Sequence, residues 1–344
     1  MKLLVIGGGS IGKRCMRNLI SIGIQKENIT VVETRADRQQ EIRETIGIQN
    51  FYTDLDKALK AEKYYAGFIC APTHLHIPIG IKLAQNGVHM LMEKPLAHNL
   101  DGIEALKTAV EENQIVVAMA YIFRYHPGIQ KVKELLDAGA IGKVITIRGE
   151  FSEYLPDWHP WEDYRSFYMA KKSTGGGSIL DQCHIMDLTH YLIGEFDSVF
   201  AVNTKLSSLE IEADDIAEMI VTFKNGVVGS IHTDIFGRDH KKYLEIKGEE
   251  GNLYWDFYAN EVQHYEAKTK CKHFYRKFPT DFNLCYIQEL KNFLAACEGK
   301  EEPKANLQVG IETMELILSA EKSQVTRKFE KISSSVKEIE RVGR

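Results

Sequence analysis

The sequence predicts a chain in two parts: a doubly wound α/β domain built on a parallel sheet, then an α+β domain with an open, mostly antiparallel sheet. Three observations carry this expectation. Residues 1–120 alternate short apolar runs with helical patterns, and such alternation implies right-handed crossovers between parallel strands. After residue 140 the pattern changes to longer runs of period two. Asn225-Gly226 stands between two of those runs and is a strong hairpin signal, hence antiparallel pairing. A length of 344 residues suits two domains at about 150 residues each.

The elements follow in order. Leu3–Ile6, Ile29–Val32, Gly67–Ile69, His89–Met92 and Val116–Met119 read as buried strands, because both faces are apolar. Ile11–Ile22, Asp37–Ile46, Pro78–Asn86 and Gly102–Glu112 have helical spacing. The boundary is placed at 122, giving domains 1–122 and 123–344. The second domain begins with a helix over Gly128–Ala138. Strands Val144–Phe151, Val199–Leu206, Ala217–Phe223, Val227–Thr233, Tyr243–Lys247 and Leu253–Phe257 follow, with helices Ser178–Leu192, Cys285–Cys297 and Leu307–Lys322. The charged stretch after Thr326 reads either as a last strand or as a frayed end.

Composition removes several classes of function. An apolar share of 44% with 26% charged residues is that of a folded globular chain, not of a disordered one. A net charge of −5 gives no basic footprint for nucleic acid. No apolar run approaches the roughly 18 residues of a membrane span, and the apolar start Leu3–Ile6 is too short for a signal-peptide core. Six cysteines stand singly with no C-x-x-C pair, so reduced thiols, no metal site and a cytoplasmic setting are expected.

Leu3–Ile6 runs directly into Gly7-Gly8-Gly9-Ser10-Ile11-Gly12, a G-x-G-x-x-G that follows a strand and opens a helix. In this fingerprint the first glycine makes the tight turn, the second lets backbone approach a pyrophosphate, and the third allows close helix–strand packing. The helix start offers N–H groups and a positive dipole end, so Gly7, Gly9, Ser10, Ile11 and Gly12 are candidate cofactor contacts. Glu33 ends the next strand, where a carboxylate accepts from ribose hydroxyls and repels a 2′-phosphate. Arg35 nearby is the kind of residue that accommodates that phosphate. NAD(H) is therefore favoured and NADP(H) stays open. Together these features mark a Rossmann domain.

Two further segments sit at carboxyl ends of predicted parallel strands, the edge where open α/β sheets bind ligands: Ala71-Pro72-Thr73 with His76, and Glu93-Lys94-Pro95. With the glycine loop, Ile141-Gly142-Lys143-Val144 and the run from Gly175 to Asp187, they resemble the glucose–fructose oxidoreductase / inositol dehydrogenase / rhizopine catabolism (Gfo/Idh/MocA) family over nearly the whole chain. The resemblance implies hydride transfer between NAD(P) and a sugar, sugar-nucleotide or polyol hydroxyl. It also implies a C-terminal open sheet that pairs subunits into a homodimer or homotetramer. It assigns Lys94 and His184 as catalytic and Asp181 as their acidic companion, and makes Ala71, Pro72, Thr73, His76, Glu93 and Lys94 candidate cofactor contacts.

The residue types suit that chemistry. Oxidising an alcohol needs a base of near-neutral pKa, the natural role of histidine, and a cation that stabilises the developing alkoxide. Asp181, His184 and Asp187 are spaced by three, on one helix face. Candidate substrate contacts are Arg124 and His126, and in the aromatic and charged segment Leu155–Arg165, Trp158, Trp161 and Arg165. Flat rings suit apolar sugar faces, and charges suit hydroxyls; the same tryptophans equally suit anchoring a long loop.

Three departures from the family pattern bear on function, and the insertion-like segment Leu155–Arg165 is one of them. The spacing Asp181-Gln182-Cys183-His184 is one shorter than in many members and is shared by a branch found with bacterial surface-sugar genes. Ile122 stands where the family often has Asn. Two alternatives use the same fold: a catalytically silent sensor, and a reductase of a non-sugar carbonyl or pigment like the biliverdin-reductase-like relatives. Fold alone does not separate them. Retention of Lys94 and His184 speaks against the first, and the polar aromatic segment against the second.

Overall fold

The computed structural model describes residues 1–158, 160, 162–172 and 175–332. Contacts divide the chain into two units, Met1–Ile122 with Asn283–Gly310, and Phe123–Phe282 with the chain from Ile311 on. In chain order the strands of the first unit are β1 (Leu3–Ile6), β2 (Ile29–Val32), β3 (Asn50–Tyr52), β4 (Ala66–Ile69), β5 (His89–Met92) and β6 (Val117–Met119). Its helices are α1 (Ser10–Ser21), α2 (Ala36–Thr45), α3 (Leu55–Ala61), α4 (His76–Gln85) and α5 (Ile103–Glu112).

The six strands form one parallel sheet in the order β3-β2-β1-β4-β5-β6. The order reverses between β1 and β4, which makes their carboxyl ends the switch point where such sheets bind ligands. Every residue of β1, β2 and β4 is buried, as expected of strands covered on both faces. The edge strand β3 and helix α3 escaped the sequence reading. β3 has three residues, none buried, and α3 is seven residues long, begun by the Asp54 side chain accepting from the Lys57 N–H at 2.8 Å.

The first unit is completed from far along the chain. Helix α9 (Asn283–Cys297), read from sequence as part of the second domain, packs here against α1. Asn18 and Asn283 exchange side-chain hydrogen bonds of 2.9 and 3.1 Å. Leu290 and Phe293 join the core of β1, β2 and β4, with Phe293 edge-on to Phe68 at 5.6 Å. Burying a phenylalanine this completely is worth about 3–5 kcal/mol against alanine.

In the second unit α6 (Pro127–Asp137) precedes β7 (Val144–Tyr154). Then come α7 (Ser178–Asp181), α8 (His184–Ile193), β8 (Phe196–Thr204), β9 (Ile216–Phe223), β10 (Val228–Asp234) and β11 (Phe236–Gly248). β12 (Gly251–Asp256), β13 (Glu261–Glu266), β14 (Cys271–Tyr275), α10 (Leu307–Thr326) and β15 (Glu330–Lys331) complete the described elements, α10 starting at the end of the first unit's segment. The sheet has nine strands in the order β14-β13-β12-β11-β7-β10-β9-β8-β15. Only β7 and β10 pair in parallel; the other neighbours are antiparallel.

The hairpin at Asn225-Gly226 forms, pairing β9 with β10. Only Gly226 has positive φ (+87°), and its N–H closes a turn onto the Phe223 carbonyl at 2.9 Å. This is a β-turn followed by a left-handed glycine. α8 lies against β7, where a side chain at Gly149 would come within 2.7 Å of Ile185. Phe151 and the fully buried Trp255 meet Phe123 and Phe257 in an aromatic core. Among the described residues no helix is long and apolar enough to cross a membrane, and no group of three or more acidic, histidine or cysteine residues could hold a metal.

Candidate active site

Two glycines of the loop after β1 are fixed by close approach. A Cβ on Gly7, where φ is +103°, would strike the Cys70 carbonyl that leaves β4, and a Cβ on Gly12 would strike the Gly7 carbonyl. Gly9 differs, since a Cβ there would meet nothing within 4 Å. Gly9 is the N-cap of α1, and no side chain caps that helix end. The first-turn N–H groups, those of Ser10 and Ile11 among them, thus sit at the positive end of the helix dipole beside an open approach. This donor set fits a diphosphate.

Glu33, at the end of β2, is buried and holds the loop. Its Oε2 accepts from the Gly8 N–H at 2.8 Å and its Oε1 from the Arg35 N–H at 2.9 Å. Arg35 turns its guanidinium onto the Asp37 carboxylate, with Nε 3.1 Å from Oδ1, and this bond holds Asp37 down to about 2. The edge where a 2′-phosphate would sit therefore carries two carboxylates, Glu33 and Asp37, together with two guanidinium groups, Arg35 on Asp37 and Arg38, whose Nη1 lies 3.7 Å from Glu33 Oε2.

The loops after β4 and β5 are tied together by His76. Its Nδ1 lies 2.9 Å from the Pro95 carbonyl and its Nε2 2.8 Å from the Ala71 carbonyl. Burial lowers its pKa, against the two carbonyls. The neutral ring has one N–H to donate to either of the two carbonyls it lies between, and Thr73 beside it is buried. Glu93 follows β5 directly, its N–H on the Ile69 carbonyl at 3.0 Å, so Lys94 leaves the sheet at the edge that carries Gly7–Gly12. Sequence reasoning missed Tyr286 of α9. Arg14 covers its ring at 4.6 Å, and burial with Glu93 pushes its hydroxyl up to about 12 against Arg14 and Lys94. Tyr286, Glu289, Cys15, Cys70 and Glu93 line one cavity.

In the second unit His184 opens α8, its ring edge-on to Phe123 at 5.1 Å. Asp181 is buried at the end of α7 and accepts from the Tyr168 hydroxyl at 2.7 Å. Asp187, one turn after His184, has a separate duty. It is fully buried and bound by Arg124, with Nε 2.9 Å and Nη2 2.7 Å from Oδ1. Burial raises the Asp187 pKa despite Arg124.

Arg124 and His126, expected at the substrate, both have partners within the second unit. Arg124 is buried in that ion pair, its guanidinium 4.7 Å from the Tyr191 ring. His126 is the N-cap of α6: its Nδ1 accepts from the Gly128 N–H at 3.1 Å, and burial among Trp255 and Phe257 lowers its pKa to about 4. Trp158 packs on the cluster of Leu155, Met169, Leu209 and Ile235, the anchoring role. Arg165 is exposed and shared between Asp163 and Glu210. Trp161 lies outside the described residues.

A second set of residues near His184 went unread. Gln182 donates to Glu153 Oε2 at 3.0 Å, Lys242 bonds the other oxygen, and Phe151, Phe257 and Tyr258 surround the ammonium at 5.5–5.6 Å. Buried ion pairs contribute little net stability, whereas a carboxylate beside an ammonium matches the donor and acceptor of adjacent hydroxyls. Pairing β7 with β11 brings Glu153 and Lys242 together across 89 residues, a link no local pattern announces.

Comparison with known proteins settles the relationship. The family profile described as "Oxidoreductase family, NAD-binding Rossmann fold" matches residues 1–121, and the GFO/IDH/MocA C-terminal domain matches 129–254. The chain belongs to the Gfo/Idh/MocA oxidoreductase family. Among its relatives, myo-inositol 2-dehydrogenase of Thermotoga maritima is 26% identical over 98% of this chain and all of that protein. Levoglucosan dehydrogenase of Pseudarthrobacter phenanthrenivorans is 27% identical, over 66% of this chain and 64% of that protein's length. A solved levoglucosan dehydrogenase, in complex with NADH and levoglucosan, superposes with a TM-score of 0.86 at 23% identity, over 97% of this chain and all of that one. This Gfo/Idh/MocA chain is thus an oxidoreductase with an NAD-binding first unit.

The glycine geometry separates two substitutions. Gly9→Ala should keep the melting temperature within about 3 °C of the parent and weaken NAD(H) binding about tenfold or more, since it blocks a charge-assisted bond worth about 1.5–3 kcal/mol. Gly12→Ala should lower both stability and binding. Scanning calorimetry beside cofactor titration reads the two effects; equal stability losses would contradict the open approach at Gly9.

Proposed function

We propose that this chain is an NAD(H)-dependent dehydrogenase acting on a hydroxyl, or in reverse a ketone, of a sugar, sugar nucleotide or polyol. The observation that carries the reading is Lys94, which leaves β5 at the same sheet edge as the uncapped start of α1. A cation held there suits an alkoxide that forms beside a dinucleotide. The names of the relatives, dehydrogenases of inositols and levoglucosan, support a polyhydroxylated substrate. A cytoplasmic role in bacterial surface-sugar metabolism is the proposed setting. The Asp181–His184 spacing favours it, as does a structural neighbour, the WlbA dehydrogenase of Bordetella pertussis in complex with NADH and UDP-GlcNAcA (TM-score 0.83, 19% identity, over 97% of this chain and 98% of that one).

In the mechanism, bound NAD+ supplies the hydride acceptor. His184 takes the hydroxyl proton as general base, Lys94 stabilises the oxygen as it gains charge, and Asp181 holds a negative charge near the base. Gly7, Gly9, Ser10, Ile11 and Gly12 would hold the diphosphate, Glu33 the ribose, and the Ala71–Thr73 and Glu93–Lys94 segments the remainder of the cofactor. The chain is also proposed to form a homodimer or homotetramer through the open face of its nine-stranded sheet, where Ile145, Ile220 and Val228 stand exposed.

Lys94→Ala and His184→Ala should each lower turnover by about 100-fold or more, with NAD(H) affinity nearly unchanged. Turnover is followed by NADH absorbance with myo-inositol, levoglucosan, D-xylose or a UDP-hexuronic acid, whichever the parent oxidises. The double variant should lose far less than the product of the single losses, because residues acting on one proton behave as a unit. A single variant with parental turnover is thereby removed from the mechanism. NAD(H) should bind more tightly than NADP(H), and Glu33→Ala should cost NAD(H) about 1.5–3 kcal/mol while narrowing the preference. Tighter NADP(H) binding in a direct titration would reverse the assignment. Light scattering at micromolar concentration should report a dimer or tetramer; a monomer would refute the sheet-face association.

A further inference from the structure

The run Gly175-Gly176-Gly177 before the His184 helix has no role in hydride transfer, yet the structure crowds it. Gly177 has φ of +118°, and a Cβ on it would collide with Asp214 Oδ1; a Cβ on Gly176 would collide with the carbonyls of Tyr168 and Met169. The space denied to side chains is filled by Asp214, which precedes β9. Its carbonyl accepts from the Ser178 N–H at 3.0 Å and its carboxylate Oδ2 from the Ile179 N–H at 2.9 Å. One residue thus takes up two N–H groups of the first turn of α7, which no side chain of its own N-cap does. The carboxylate is held in turn by Asn203, whose amide, in the orientation that satisfies both partners, donates to Oδ2 and to the Ile216 carbonyl at 3.1 Å.

We propose that Asp214 is a positioning residue for the reaction: by gripping the start of α7 it sets where Asp181 and His184 stand. Asp181 closes α7 and Cys183, with helical φ and ψ, leads straight into α8. A shift at Ser178–Ile179 is therefore passed on within two turns. Ser178 Oγ bonds Thr233 of β10 at 2.8 Å and Tyr168 bonds Asp181, so the short helix is held at both ends. Keeping a carboxylate here is costly. Burial raises its pKa to about 6 against the Ile179 N–H, and Glu321 of α10 raises it further while Lys172 lowers it.

The inference rests on His184 acting as the base, and the test separates the two. Asp214→Ala and Asp214→Asn are compared with the parent by hydrogen exchange of peptides covering residues 177–184, by NAD(H) titration, and by kcat and KM on the polyol the parent oxidises. The Ala variant should exchange faster at 177–184 but not in β8–β10. It should lose about 10- to 100-fold in kcat, the scale of a misplaced catalytic group, with NAD(H) affinity within about twofold. The Asn variant, which keeps an oxygen for the Ile179 N–H, should recover both protection and most of kcat.

An Ala variant that is less stable but has parental kcat or parental protection overturns the proposal, as does an Asn variant that regains protection without kcat. Should the Ala variant fail to fold, Gly177→Ala displaces the carboxylate without deleting it, and parental kcat there overturns the proposal equally. If His184→Ala turns over like the parent, the base assignment fails, and with it the role of Asp214 in turnover. If the parent oxidises no polyol offered, the functional reading fails and exchange at 177–184 alone decides whether Asp214 holds the helix.

Discussion

Everything the first unit offers a cofactor depends on the Gly7 carbonyl resting against the Cα of Gly12. That contact lets α1 begin one short loop after β1, so that the helix end and the strand ends share one edge. A single methyl at either glycine pushes the helix away from the sheet, and the N–H groups of its first turn no longer converge. Glu33 reinforces the arrangement from the side by accepting the Gly8 N–H. Glu33, which is proposed to hold the ribose, is thus also a strut of the loop.

The second unit relies on a different device. Its helix α8 carries His184 at one end, and one turn later it is tied to the segment after Ile122 by the buried Arg124–Asp187 pair. Removing one partner of such a pair leaves an uncompensated charge and costs about 3–5 kcal/mol. The pair therefore fixes α8 firmly even where its net stabilisation is small. Together with the capping of α6 by His126, it explains why the polar residues of the 121–127 segment face inward.

Much of this was legible in the sequence, for identifiable reasons. The glycine loop has no other inexpensive explanation, because three glycines at fixed spacing after an apolar strand meet a steric demand. Strands β1, β2, β4, β5 and β6 announced themselves by continuous apolarity. β3, β13 and β14 did not, since they are short or half-polar and gain their identity from a neighbour, and the stretch that holds β15 read either as a strand or as a frayed end. Arg124 and His126 look like ligand-binding side chains in a list of residues. Only the fold shows that Asp187, 63 positions away, and the first turn of α6 claim them. Glu153, Lys242 and Asp214 were invisible for the same reason, their meaning residing in partners from other strands. Helical periodicity likewise shows that α9 buries a face without saying against what.

That last point has a consequence for how the molecule comes into being. The first unit is assembled from Met1–Ile122 and a returning segment, Asn283–Gly310, and Leu290 and Phe293 belong to its core. On the ribosome, where chains emerge at about 5–20 residues per second, the parallel sheet is made early but stays uncovered beside Phe68 and Leu19. Closure waits until some nine-tenths of the chain has been synthesised. A fragment cut at residue 122 would hold every strand of the sheet and every glycine of the loop, and would still present an apolar wound where α9 belongs.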